Sequence, residues 1–182
     1  MADLAQRCFP FLLDPGTGLY DRSTLESRLN EEISRACRYR YPLSLMLVAF
    51  DIRQFQQARE WLPVLAEMLK HHTRRADVLS CYGDSALALV LPCTNETGAL
   101  DLAARIRRLA QVMQPPAQGR IRPVPISIAV ASASAGRGVD GLALIEQVES
   151  ALREAQQQGG DRVIVASRAH VPCGEGNGCP TA

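Results

Sequence analysis

No stretch of this chain approaches the roughly 20 apolar residues that a bilayer-spanning helix needs. Met1 is not followed by a basic leader and a long apolar segment, so no signal peptide is expected. Charge of one sign is also lacking. Lys and Arg total 20 against 19 Asp and Glu, a formal net charge of +1, which argues against a broad nucleic-acid or anionic-lipid patch. The six cysteines form no C-x-x-C pair and no Cys/His metal spacing, so a zinc ligand set is not expected. Cys37 and Cys81 fall within apolar patterns and read as buried thiols. Cys173 and Cys179 stand in a Gly/Pro-rich tail and read as reduced. Together these absences lead us to expect a cytoplasmic protein.

What is present is core-forming material: 182 residues, 47% of them hydrophobic, enough for one domain with a sizeable core. The pattern divides the chain into a lead-in over 1–13, a domain over 14–166 and a tail over 167–182. Phe9, Phe11 and Leu12 of the lead-in are expected to dock on the domain or on a partner. Ser23-Thr24-Leu25-Glu26 has capping-box spacing and predicts a helix start. Leu25, Leu29, Ile33 and Cys37 recur every fourth residue as its inward stripe. Leu43–Phe50 is an almost unbroken apolar run, the pattern of a central strand covered on both faces. Further helices are predicted over 61–73, 96–113 and 142–157. Trp61, Leu65, Met68 and Leu69 face inward in the first of these, and Leu100, Ala103, Ile106, Leu109 and Ala110 in the second. Strands are predicted over 78–82, 86–91, 124–131 and 163–166, the first two forming a hairpin around Gly83-Asp84-Ser85. This order gives an α/β fold, a layered sheet of about five strands flanked by helices.

Several motifs stand along this frame. Asp14-Pro15-Gly16-Thr17-Gly18-Leu19-Tyr20-Asp21-Arg22 precedes the first helix. Arg74-Arg75-Ala76-Asp77 precedes the hairpin, whose tip runs Gly83-Asp84-Ser85-Ala86-Leu87. Gly159-Gly160-Asp161-Arg162-Val163 precedes the last strand. In this order they resemble the GGDEF family, the diguanylate cyclases, over about residues 14–166. The matching family patterns are D-x-L-T-G-L-x-N-R, R-x-x-D, G-G-D-E-F and G-x-N-R-V. The resemblance implies a nucleotidyl-cyclase-like fold.

The same comparison implies that cyclase chemistry is absent. Joining two GTP molecules needs divalent cations held by carboxylates. The family supplies these from a first-strand Asp and from the signature hairpin. Ala86 stands at the hairpin glutamate and carries no oxygen. Asp84 stands at the second glycine, where a carboxylate repels triphosphate and its Cβ crowds it. Two registers fit the first strand. Asp51 can match the metal-binding Asp, with Arg53 at the family's second Asp and Gln56 at its Lys. A shift by two places Ala49 at the metal position instead. The polar loop that holds guanine in the family is largely missing before Trp61, and Gln156 replaces a phosphate-binding Lys. No catalytic residue and no metal ligand is therefore assigned.

The R-x-x-D, in contrast, is intact. In the family it is the inhibitory site, which binds the product cyclic di-GMP and is completed by an Arg on the following helix. Here those positions are Arg74, Asp77 and Arg105, with Arg75 and Arg108 as auxiliary candidates. The chemistry suits guanine. An Arg fork matches O6 and N7 on one edge, and a carboxylate accepts the N1–H and N2–H donors on the other. His71 and His72 are adjacent, point apart on a helix and read as a solvated helix end. Trp61 reads as a cover for the sheet, and Ser85 as a hairpin-tip hydroxyl with no base nearby.

The leading expectation is a catalytically inactive cyclic di-GMP receptor with no other cofactor, signalling by ligand-dependent association with a protein partner or a second copy. A resemblance also exists to degenerate GGDEF receptors that control exopolysaccharide secretion, and so biofilm formation. The alternatives are a ligand-free protein-interaction module and a regulatory GTP binder.

Overall fold

The computed structural model describes residues 13–51, 58–113, 123–133 and 140–166. The lead-in aromatics Phe9 and Phe11, Leu12, Cys8, the positions of Arg53 and Gln56, and the tail with Cys173 and Cys179 lie outside them. The elements run α1 (Arg22–Tyr39), β1 (Leu43–Phe50), α2 (Ala58–His72), β2 (Val78–Cys81), β3 (Ala86–Pro92), α3 (Glu96–Ala110), β4 (Ile126–Ala133), α4 (Gly141–Gln157) and β5 (Val163–Val165). The strands form one sheet in the order β2-β3-β1-β4-β5. All neighbours are antiparallel except β4 and β5. This is the layered α/β sheet expected from the sequence.

β1 lies at the centre, and every one of its residues is buried. Side chains alternate across a strand, so the run divides between two cores. Met46, Val48 and Phe50 pack with Leu65 and Leu69 of α2 and with Ala103 and Ile106 of α3. Leu43, Leu45 and Leu47 pack with Leu25 and Leu29 of α1 and with Leu144 and Val148 of α4. A strand buried on both faces leaves little room for polar positions, which explains its nearly unbroken apolar sequence.

Helix details depart from the sequence reading: α2 starts at Ala58, not Trp61, α3 ends at Ala110, not Met113, and three further points differ. α1 starts earlier than the Ser23–Glu26 capping box implies. Its N-cap is Asp21, whose Oδ1 accepts the Thr24 N–H at 2.8 Å and the Ser23 hydroxyl at 3.0 Å. Asp is a strong N-cap, and its carboxylate satisfies the orphan donors that Ser23 would otherwise take. Cys37 is exposed, and Ala36 takes its place on the inward stripe. A four-residue step overshoots a 3.6-residue turn, so the stripe drifts off the core by its fourth member. In α3 the buried stripe is Ala99, Ala103, Ile106 and Ala110, while Leu100 and Leu109 are only half-buried.

Two turns carry motif residues singled out in the sequence. Arg74 and Asp77 occupy the short connection between α2 and β2, where the Asp77 N–H donates to the Arg74 carbonyl at 3.0 Å. The turn joining α4 to β5 places Gly159, Gly160 and Asp161 at φ of 105°, 72° and 47°. Those are left-handed conformations that favour glycine. Among the described residues no helix is long and apolar enough to cross a membrane.

Candidate functional site

A cleft of about 460 Å³ opens where the end of α2, the α2–β2 turn and α3 meet, within the size range of small-molecule sites. One wall carries His72, Arg74 and Asp77; the other carries Gly98, Asp101 and Arg105. Leu91 and Leu102 supply apolar lining, and Cys93, Thr94 and Asn95 line it beside the start of α3. Arg74, Asp77 and Arg105, singled out in the sequence, are thus brought together. Arg75 and Arg108 are exposed and are not among the lining residues. Arg108 sits nearly a full turn beyond Arg105, further along the helix than the cleft reaches. His72, read from sequence as a solvated helix end, belongs to the wall, as do Asp101 and Asn95.

Hydrogen bonds order this wall. Asp77 Oδ2 accepts the Arg74 backbone N–H at 2.7 Å, which folds the turn and leaves Oδ1 as a further acceptor. Burial pushes the Asp77 carboxyl above its ordinary range, opposed by the Arg74 N–H and the Arg74 charge. Arg105 Nη2 donates to the His72 carbonyl at 2.6 Å. That bond caps an orphan carbonyl at the end of α2 and ties the two walls together. The Arg74 guanidinium has no hydrogen bond or ion pair among the described residues, so its donors are available. Two guanidinium groups and a carboxylate around one cleft can hold an anion while reading the edges of a purine.

A second locus lies at the far end of β1. Ala49 pairs across the strands with Ala86 on β3 and Ser127 on β4. Directly paired residues share a face with Cβ atoms about 5 Å apart. Ala49, the metal position in the shifted register, therefore stands beside Ala86, which carries no oxygen. Asp51 is 4% exposed and already engaged. It accepts Ser127 Oγ at 2.7 Å through Oδ1 and the Asp161 N–H at 2.7 Å through Oδ2. A Cβ added at Gly160 would stand 2.5 Å from Asp51 Oδ2, so glycine is required there for the close approach. Asp161 in turn receives a fork from Arg107 of α3 at 3.0 and 2.9 Å. Asp51 therefore ties the ends of β1 and β4 to the α4–β5 turn. Among the described residues, methyl groups at Ala49 and Ala86 and an occupied carboxylate do not fit a divalent-ion site at this point. Asp84 and Gly83 at the hairpin tip are exposed.

The sequence reading misses Asp51's structural engagement and the Arg107–Asp161 pair, since both join segments far apart in the chain. Ser80 and Thr17 likewise fasten the opening turn to β2. The Ser80 hydroxyl donates to the Asp21 carbonyl at 2.9 Å, and Thr17 Oγ1 lies 2.9 Å from Cys81 Sγ. Burial pushes the Cys81 thiol up to about 11, as expected for the buried thiol predicted there.

Comparison with known proteins bears on the family and the fold. The family model "Diguanylate cyclase, GGDEF domain" matches residues 11–162. The diguanylate cyclase DgcP of Pseudomonas aeruginosa is 29% identical over 164 residues, 85% of this chain. The chain spans 24% of that relative's length. Among solved structures, the GGDEF domain of DgcB from Caulobacter crescentus, in complex with c-di-GMP, aligns with a TM-score of 0.73 at 16% identity, covering 85% of this chain and 93% of that one. The FimX GGDEF domain from Pseudomonas aeruginosa gives 0.74 at 20% identity, covering 84% and 98%. SiaD of Pseudomonas aeruginosa, a diguanylate cyclase in complex with its activator SiaC, gives 0.74 at 23% identity, covering 91% and 66%. With the family model spanning most of its length and the same fold in these structures, the chain belongs to the GGDEF family.

Proposed function

We propose that this GGDEF domain binds cyclic di-GMP in the α2–α3 cleft and does not synthesise it. The observation that carries the reading is the convergence of Arg74, Asp77 and Arg105 on one cleft of about 460 Å³. Each guanidinium matches a phosphate or the O6/N7 edge of guanine, and Asp77 accepts the opposite edge. Cyclic di-GMP carries two phosphates and two guanines, the groups this set recognises. The DgcB GGDEF domain, which was solved with c-di-GMP, shares the fold.

The inactive half of the proposal is supported by the methyl group at Ala86, the position matched to the hairpin glutamate, and by the engagement of Asp51 with Ser127 and Asp161. Among the described residues no unengaged carboxylate stands at these positions to hold the metal ions that would neutralise the triphosphate and lower the pKa of an attacking hydroxyl. Ligand binding would then be the output. A nucleotide that fits a surface formed by two partners favours whichever association offers both. The SiaD–SiaC complex is a case of a related diguanylate cyclase held by a protein activator, and a protein partner or a second copy would fill that role here.

The test is titration calorimetry of cyclic di-GMP into the wild-type chain and into Arg74→Ala, with GTP titrated in parallel. Loss of one charge-assisted contact costs about 1.5–3 kcal/mol, or roughly a 10- to 100-fold weaker Kd. Binding of cyclic di-GMP that Arg74→Ala weakens by that factor, with no heat from GTP, is the expected result. A folded wild-type protein that binds neither nucleotide overturns the proposal and leaves a protein-interaction module. Binding of GTP in preference to cyclic di-GMP establishes a GTP sensor instead.

A further inference from the structure

The cleft contains one group that an anion site should avoid. Asp101 lines it from the α3 wall, one helical turn before Arg105 and therefore on the same face. It is exposed and has no hydrogen bond or ion pair among the described residues. Arg105, its i+4 neighbour, gives Nη2 to the His72 carbonyl instead. A bare carboxylate beside the path of two phosphates opposes their binding unless the ligand offers it donors. Within a guanine nucleotide the base does so, through N1–H and N2–H.

The two walls then carry the same pair of chemistries. The turn wall presents Arg74 with Asp77, and the helix wall presents Arg105 with Asp101. Leu102, next to Asp101, and Leu91 give the apolar surface against which a purine face can lie. Resting on the cyclic di-GMP reading of this cleft, we propose that Asp101 is a second guanine-reading residue. Asp77 accepts the Watson–Crick edge of one base and Asp101 that of the other, so the cleft selects a dinucleotide with two guanines over one with a single guanine. Adenine presents an acceptor at N1 and no amino group at C2, which would leave the carboxylate facing a lone pair.

The test titrates cyclic di-GMP and 3′,3′-cyclic GMP–AMP into the wild type, Asp101→Ala and Asp77→Ala. The wild type is expected to prefer cyclic di-GMP by about tenfold or more, the discrimination of a good polar base contact. Asp101→Ala should weaken cyclic di-GMP by a similar factor and bind cyclic GMP–AMP as well as the wild type or better, its guanine resting on Asp77 and its adenine no longer facing a carboxylate, so that the preference collapses. The opposite sign separates a merely repulsive carboxylate, because its removal tightens both ligands and overturns the assignment. An unchanged preference in Asp101→Ala also overturns it, while leaving cyclic di-GMP binding itself intact. Absence of binding to the wild type overturns the underlying reading together with this one. Circular dichroism of each variant confirms that the fold is retained.

Discussion

Replacing Asp51 by Ala tests whether that residue is architecture or a leftover metal ligand. Asp51 is 4% exposed, and its carboxylate accepts two hydrogen bonds at 2.7 Å, from Ser127 Oγ and from the Asp161 N–H. Hydrogen bonds to a charged group contribute about 1.5–3 kcal/mol each, and stranding a buried donor costs about 1–3 kcal/mol. These figures overlap rather than add, so a loss of about 3–5 kcal/mol is expected, a large share of the roughly 5–15 kcal/mol that holds a domain of this kind together. At about 2–4 °C per kcal/mol for this chain length, Tm should fall by roughly 6–20 °C in scanning calorimetry. Asp51→Asn keeps one acceptor and should lose about half as much. A vestigial metal ligand behaves oppositely. Its removal costs little without metal, and magnesium stabilises the wild type but not the variant. A loss below about 1 kcal/mol, or a magnesium-dependent rise in the wild-type Tm, would refute the reasoning.

The same geometry sets other outcomes. Gly160→Ala should destabilise by about 2 kcal/mol or more, because its φ of 72° strains an L-residue and its Cβ would meet Asp51 Oδ2 at 2.5 Å; urea unfolding measures it. Arg107→Ala should cost only about 1 kcal/mol or less despite its two-pronged contact, since both side chains of the pair are more than a third exposed. Cys37 and Cys93 should alkylate readily at mildly alkaline pH, while Cys81, buried and with its thiol pushed up to about 11, stays protected; peptide mapping after iodoacetamide reads this. Acid should weaken cyclic di-GMP binding. Burial raises the Asp77 carboxyl above its ordinary value, so its contribution to folding is present at low pH and fades as pH rises through that raised value. The nucleotide needs the ionised form, so affinity moves the other way, falling with decreasing pH from a point above that of a solvated Asp. Asp77→Asn should move the onset of this fall to lower pH.

Much of the fold is legible in the sequence because burial on both faces writes itself as composition. The β1 run, Leu43–Phe50, is apolar at nearly every position because both cores claim it, and its limits can be read to the residue. Helix faces are harder. Counting by fours carries the α1 stripe to Cys37, where the 3.6-residue turn has already rotated Ala36 inward. In α3 the larger Leu100 draws the reading away from Ala99, which fits the tight approach of helix to sheet. At the cleft, Arg74 and Asp77 are legible because a short piece of local sequence makes the turn, and Arg105 because the spacing to α3 is fixed. Asp101 and His72 are not, since only the packing of α2 beside α3 gives them a common space. Asp51 stays ambiguous between two registers in the sequence. Its partners, Ser127 and Asp161, are brought in by elements that no local pattern connects to β1.

The central claim is that this GGDEF domain reads cyclic di-GMP and does not make it. The most direct measurement is native mass spectrometry of the protein incubated with GTP, Mg²⁺ and an isotopically labelled cyclic di-GMP. The account predicts a protein adduct carrying the labelled cyclic dinucleotide, no GTP adduct and no unlabelled product after prolonged incubation. Unlabelled cyclic di-GMP appearing from GTP, or a protein that carries no cyclic dinucleotide at all, would contradict it.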